Sequence, residues 1–286
     1  MSRVQGVNNL DGYLENAAQV TILTDTSPAG MIAAIEANIW GAWQTSAESS
    51  EVEVYDGPEM LRYASGIPFA PLNGVLRTRL EPEEVDDVIE ATLEYFEWRD
   101  VPMNWAVEPS AKPDDLGARL MAKGLVPEDE EEPGMAMELE ALGAAPGRTV
   151  NLEIERVPTD EWQGDFADVM ARGFGFPGSA HKDFMRILAA GSDARPGTLY
   201  GYVGRLDGRT VATSMLLLAA GAAGIHNVTT LEHARGYGIG TAMTYAPLIE
   251  ARDLGYKIAI LQSSEMALNA YKRLGFREYF TFQRFQ

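Results

Sequence analysis

The clearest periodic signal in the chain lies between Glu81 and Arg99, where apolar side chains recur at Val85, Val88, Ile89, Leu93 and Phe96, with Thr92 on the same stripe. That spacing predicts an amphipathic helix. Pro82 suits its first turn, and Glu83 and Glu84 sit against the positive end of its dipole. A strand-like run follows at 102–107, then a helix over 114–123 stopped by Gly124. The same order returns later: a strand ending near Thr230, a glycine-rich turn, a helix to about Asp253, a strand over 257–262 and a helix stopped by Gly275.

The two stretches can be laid on each other. Asn73-Gly-Val75 falls against Asn227-Val-Thr229, and 116–125 (LGARLMAKGL) falls against 268–276 (LNAYKRLGF) with one gap. An internal duplication is therefore expected, with the boundary in the small-residue segment Ala141–Arg148, so that residues 1–145 and 146–286 form two domains. The copies differ where it matters for chemistry. The first has Arg77-Thr-Arg-Leu-Glu-Pro82 in place of the glycine-rich turn. The acidic run Glu128–Glu132 reads as a solvated loop without function, Pro247 is expected to bend its helix, and the five tryptophans read as packing residues.

Composition narrows the chemistry. With 286 residues, 46% of them hydrophobic, two cores can be buried. The absence of cysteine excludes disulfides, thiolate metal sites and acyl transfer through a protein thiol. His181, His226 and His233 are the three histidines, and their spacing offers no metal set, so no metal is expected. A net charge of −19 disfavours nucleic acid and anionic membranes as partners. The charge is uneven: residues 226–286 carry seven Lys or Arg against five Asp or Glu, and the remainder carries 16 against 37. A relatively basic tail suits an anionic ligand, and the acidic remainder suits a cationic co-substrate. No apolar run reaches membrane-spanning length and the first twenty residues show no secretory pattern, so a cytoplasmic protein is expected, either monomer or homodimer.

The segment from Asn227 to Gly240 (NVTTLEHARGYGIG) is a strand running into a glycine-rich turn that opens a helix. Amides converging there, together with the helix dipole, can hold a pyrophosphate, and Arg235 adds a full charge. Two familiar phosphate sites are excluded. No Gly-Lys-Ser/Thr occurs for a phosphate-binding P-loop. A dinucleotide fingerprint would need glycine where Thr241 stands and an acid where Gln262 stands.

What remains, Arg235-Gly-Tyr-Gly-Ile-Gly240, resembles the pyrophosphate motif of the GCN5-related N-acetyltransferase (GNAT) superfamily. Residues 261–276 (LQSSEMALNAYKRLGF) are similar to that family's later strand and helix, where a tyrosine precedes Leu-Gly-Phe. The resemblance covers about 150–286, with the first half as a degenerate copy. It implies an α/β (α+β) fold of two tandem GNAT-like domains, each a mixed, mainly antiparallel sheet flanked by helices. It further implies an acetyl-CoA-dependent N-acetyltransferase acting on a primary amine of a small, cationic acceptor by direct attack.

Carried over by position, the backbone of Val228, Thr229 and Thr230 would pair with the pantetheine arm. Arg235, Gly236, Tyr237, Gly238, Ile239, Gly240 and Thr241 would receive the pyrophosphate. Tyr271 would protonate the departing thiolate, and Glu232 and His226 are the candidate general bases. Ser264 stands where the family often has Asn, with Asn269 as a substitute contact. The alternative reading is a non-catalytic acyl-CoA-binding regulatory module.

Overall fold

The computed structural model describes residues 21–47, 50–130, 132–145, 147 and 151–286. The first twenty residues, part of the 141–148 boundary segment and Glu131 of the acidic run lie outside them. The first half contains α1 (Pro28–Ser46), β1 (Glu53–Asp56), β2 (Leu61–Ala64), β3 (Asn73–Leu76), α2 (Val85–Trp98), β4 (Asn104–Val107), α3 (Leu116–Ala122) and β5 (Glu132–Glu138). The second contains β6 (Leu152–Val157), α4 (Ala167–Phe174), α5 (Ala180–Ala194), β7 (Leu199–Leu206), β8 (Arg209–Ala219), β9 (Ala222–Thr230), α6 (Ile239–Asp253), β10 (Ile258–Gln262), α7 (Glu265–Leu274) and β11 (Arg277–Phe285).

Local chemistry accounts for the helix ends. Ser27 caps α1, its hydroxyl oxygen accepting the Gly30 amide at 3.1 Å, with Pro28 at the first helical position. The α2 helix begins at Val85, four residues later than the sequence pattern suggests, and buries Val85, Ile89, Thr92 and Phe96 as one stripe. Both α3 and α7 stop near a glycine in the left-handed region, Gly124 at φ 98° and Gly275 at φ 110°, as the matched segments predict. Pro247 is accommodated inside an unbroken α6.

The strands form one sheet in the order β1-β2-β3-β4-β11-β5-β10-β9-β8-β7-β6. In each half a parallel pair is central: β3 with β4 and β9 with β10. The strand laid antiparallel on each pair comes from the opposite half. β5 pairs with β10, and β11 pairs with β4, while β5 and β11 pair with each other in the middle. The duplication is thus a reciprocal exchange of last strands. The parallel bridges equate Gly74 with Ala223 and Val75 with Gly224, so the superposition they give is five residues off the Asn73-to-Asn227 match. A left-handed residue follows in both halves, Arg77 at φ 54° and Asn227 at φ 52°.

Alternation along the strands gives the sheet two distinct faces. On one, Ala106, Ala136, Ile258, Ile260 and Phe282 pack with Ile35 and Ile39 of α1. Towards the end of the sheet, α4 and α5 extend this layer through Met170 and Met185. On the other face, Met135, Ile225 and Leu261 pack with Met243 and Leu248 of α6 and Tyr271 of α7. There Val75, Trp105 and Phe285 pack with α2 and α3. None of the helices among the described residues is long and apolar enough to cross a membrane.

Candidate active site

The site begins where two parallel strands part. β9 and β10 are bridged at Ala223–Ala259 and Gly224–Ile260, and the edge of β9 from Ile225 to Thr230 then runs free of β10. On its other edge β9 pairs with β8, with a register shift at the left-handed Asn227. The gap exposes strand-edge amides at the carboxyl end of a parallel pair, the place where open α/β sheets take their ligands.

Directly after β9 the glycine-rich turn opens α6. Gly236 (φ 83°) and Gly238 (φ 75°) both adopt the left-handed conformation, and Gly238 is the N-cap of the helix. The first-turn amides have no partner within a helix, so they face outward with the dipole behind them. A Cβ at Gly236 would meet no atom within 4 Å, which leaves the cradle open. Arg235 is exposed, its Nε donating to the Thr230 carbonyl at 3.0 Å. Thr230 Oγ1 is buried without a hydrogen-bond partner, 3.6 Å from where a Gly240 Cβ would stand. A phosphate oxygen seated on these amides would satisfy it, so the residues present fit a pyrophosphate.

On the α1 side of the gap lies a cavity of about 820 Å³ between the two halves, and His226 and Asn227 reach its wall. Asn38 of α1 fixes the histidine. Its Nδ2 donates among the carbonyls of Leu217, Ala219 and Ala222 at 3.4, 3.2 and 3.0 Å, which turns Oδ1 towards His226 Nε2 at 3.1 Å. Oδ1 only accepts, so Nε2 carries the proton and Nδ1 keeps its lone pair. Gly224 makes room for this pair: a Cβ there would lie 2.1 Å from Asn38 Oδ1. Burial lowers the His226 pKa to about 4, so the ring is neutral near pH 7.

Residues 165–276 match the acetyltransferase (GNAT) family. The chain carries a GNAT domain. The whole chain is also similar in fold to solved structures. One is a GCN5-related N-acetyltransferase from Kribbella flavida (18% identity, TM-score 0.68, 89% of this chain and 94% of that one). A tandem GNAT protein from the clavulanic acid biosynthesis pathway matches at 13% identity and TM-score 0.62, over 93% and 96%. A GCN5-related N-acetyltransferase from Sphaerobacter thermophilus matches at 15% and 0.61, over 91% and 92%. No curated protein matches the sequence.

Within the GNAT domain, Tyr271 and His226 stand on opposite faces of the sheet, either side of the gap. Tyr271 is packed in the core with α6, against Phe276 and beside Thr244. Burial pushes its pKa up to about 12, with the Thr244 hydroxyl pulling slightly the other way, so it stays a proton donor. Glu232 lies on an exposed turn after β9, away from the cavity lining, unlike His226. Val228 and Thr230 are partly buried, Thr229 is buried, and Tyr237 is exposed beside the cradle. Ile239, Gly240 and Thr241 form the first turn of α6. Ser264 stands exposed at the N-cap position of α7 without a side-chain capping hydrogen bond, and Asn269 is exposed farther along the helix.

Much of the cavity was not visible in the sequence. The first half supplies Trp43, stacked on Tyr63 with ring centroids 3.7 Å apart, and Phe69. The acidic run is not merely a solvated loop, since Glu128, Asp129, Glu130 and Glu132 line the cavity. Desolvation raises the Glu128 pKa against the opposing pull of Arg284. Asn38, the anchor of His226, gave no signal because 188 positions separate the pair.

The equivalent gap in the first half is closed. Beyond β3 and β4 the chain stays tied by a bridge between Arg79 and Lys112, with Lys112 N donating to Thr78 O at 2.9 Å and Leu80 N to Lys112 O at 3.2 Å. The amide of left-handed Arg77 is capped by Glu108 Oε2 at 2.9 Å, and Trp40 Nε1 donates to Glu108 Oε1 at 2.9 Å. Glu108 is buried, and desolvation raises its pKa to about 7.

Proposed function

We propose that the second half transfers the acetyl group of acetyl-CoA to a primary amine held in the cavity between the halves, the first half shaping that pocket. The reading rests on the parting of β9 and β10 beside an open glycine cradle, with a neutral histidine on the cavity side. Pantetheine would pair with the free edge of β9, and the pyrophosphate would sit on residues 235–241 and Thr230.

The acceptor's nitrogen, as the free amine after its ammonium form has released one proton to solvent, attacks the thioester carbonyl carbon, forming the C–N bond while the oxygen takes negative charge near the bulge amides. As the C–S bond breaks, the thiolate receives the Tyr271 proton, and His226 Nδ1 takes the proton lost by nitrogen. The four carboxylates around the cavity favour an acceptor that arrives as a cation, and the aromatic wall favours one with an apolar body.

Calorimetry of acetyl-CoA binding tests the cofactor half of this reading. One molecule per chain is expected, lost on Arg235→Glu. Two per chain would mean that the first half is open, and no binding by the unaltered protein would remove the proposal.

A further inference from the structure

Five adjacent strands each bring a polar side chain to the cavity lining: Asn104 on β4, Arg284 on β11, Glu132 on β5, Gln262 on β10 and His226, beside Asn227, on β9. All five share the α1 face, because Ala106, Phe282 and Ile260, two positions away on their strands, and Ala136, four positions from Glu132, pack into the α1 core. The members touch in the middle: Arg284 Nε donates to Glu132 Oε2 at 2.9 Å and Gln262 Nε2 to the same oxygen at 3.2 Å. The row crosses from one half to the other. Four strand intervals at roughly 4.8 Å each separate its ends by on the order of 20 Å.

The far end is built and unsatisfied. Asn104 is 2% exposed, its amide N–H is turned to Glu128, and Oδ1 is buried with no hydrogen-bond partner. A buried acceptor left unpaired is costly, and here it borders a cavity beside several carboxylates. Such a group is matched by a donor that is also positive, an ammonium or guanidinium.

We infer that Asn104 Oδ1 and Glu128 form a distal cation subsite, so that the acceptor is an elongated molecule with two cationic ends. One nitrogen is presented to His226 and the other held by Asn104 and Glu128, with the body against Trp43 and Tyr63. This rests on the acceptor cavity proposed above, but the subsite's test does not require turnover. The row also gives a physical reason for keeping a first half whose own cofactor gap is closed: it supplies the grip that measures acceptor length.

Equilibrium binding of dodecamethylenediamine is compared with that of dodecylamine on the full chain, since the extended diamine with a hydrogen bond at each end approaches the separation. The diamine is expected to bind at least tenfold tighter. Asn104→Leu and Glu128→Gln should each remove most of that preference, leaving the two long amines bound about equally. Hexamethylenediamine, too short to bridge, should show no such advantage over hexylamine.

Equal affinities for the two long amines, or a preference that survives both substitutions, would overturn the subsite. If Asn104→Leu does not fold, the half-exposed Glu128→Gln decides alone. A protein that grips the diamine through these residues yet transfers no acetyl group supports the subsite and removes the transferase reading. One that acetylates both long amines without preference does the reverse.

Discussion

His226 and Asn38 show how one chain half prepares a side chain in the other. Because Asn38 Nδ2 is committed to three carbonyls, the histidine is held with its proton on Nε2. His226→Gln is expected to lower kcat by about 10²- to 10⁴-fold, the usual contribution of a positioned base, with acetyl-CoA affinity unchanged. With its pKa near 4, the imidazole should cause no loss of kcat/KM between pH 8 and 5. A limb near pH 6.5 assigned to His226 would contradict the burial. Tyr271→Phe should still bind CoA but lose at least tenfold in turnover; unchanged turnover would exclude it as the proton donor. At this scale the sequence was informative where structure is local: Arg235 and its glycines are adjacent, and their spacing marks the turn that opens α6. Asn38, Asn104 and Trp43 reach the cavity from distant segments, and nothing in their neighbourhoods marks them.

At the scale of elements, the two parallel pairs began alike and diverged at one residue type. Where the GNAT domain has a free edge around left-handed Asn227, the first half directs the amide of its left-handed Arg77 at an internal carboxylate, Glu108. That carboxylate's pKa is raised to about 7 from an ordinary 4.5, so the folded chain keeps a proton that the unfolded chain releases. Its contribution to stability is therefore fully present below about pH 4.5 and is lost as pH rises through 7. Urea midpoints at pH 5 and 8 should show Glu108→Gln escaping up to about 3 kcal/mol of that alkaline loss. An unchanged pH dependence would mean the carboxyl is not desolvated. Helices and parallel strands were readable because periodicity and capping glycines are written within each element. Which half β5 and β11 complete was not, since an antiparallel strand carries the same alternation whichever edge it joins.

At the scale of the molecule, the exchange of last strands makes the halves mutually dependent even though each has its own helices. Fragments cut in the segment 141–148 leave β10 without β5 and β4 without β11. Each fragment alone is expected to show weak, uncooperative unfolding by circular dichroism, and the two produced together should recover a cooperative transition and one acetyl-CoA site. A second fragment that folds and binds acetyl-CoA by itself would show that the exchange is dispensable. The cavity depends on the same connection, because its polar row runs through both exchanged strands.

The exchange also sets a timetable. A chain made from its N-terminus at about 5–20 residues per second ordinarily lets an early domain finish before a later one appears. Here β4, already paired with β3, can acquire its second neighbour only once β11 has emerged, since Val107 pairs with Gln283. Until then the early half presents an unpaired edge to whatever is nearby, including neighbouring nascent chains. Loss of the nine residues of β11 alone, far from the glycine cradle, should therefore show itself first as aggregation during synthesis and only second as lost catalysis.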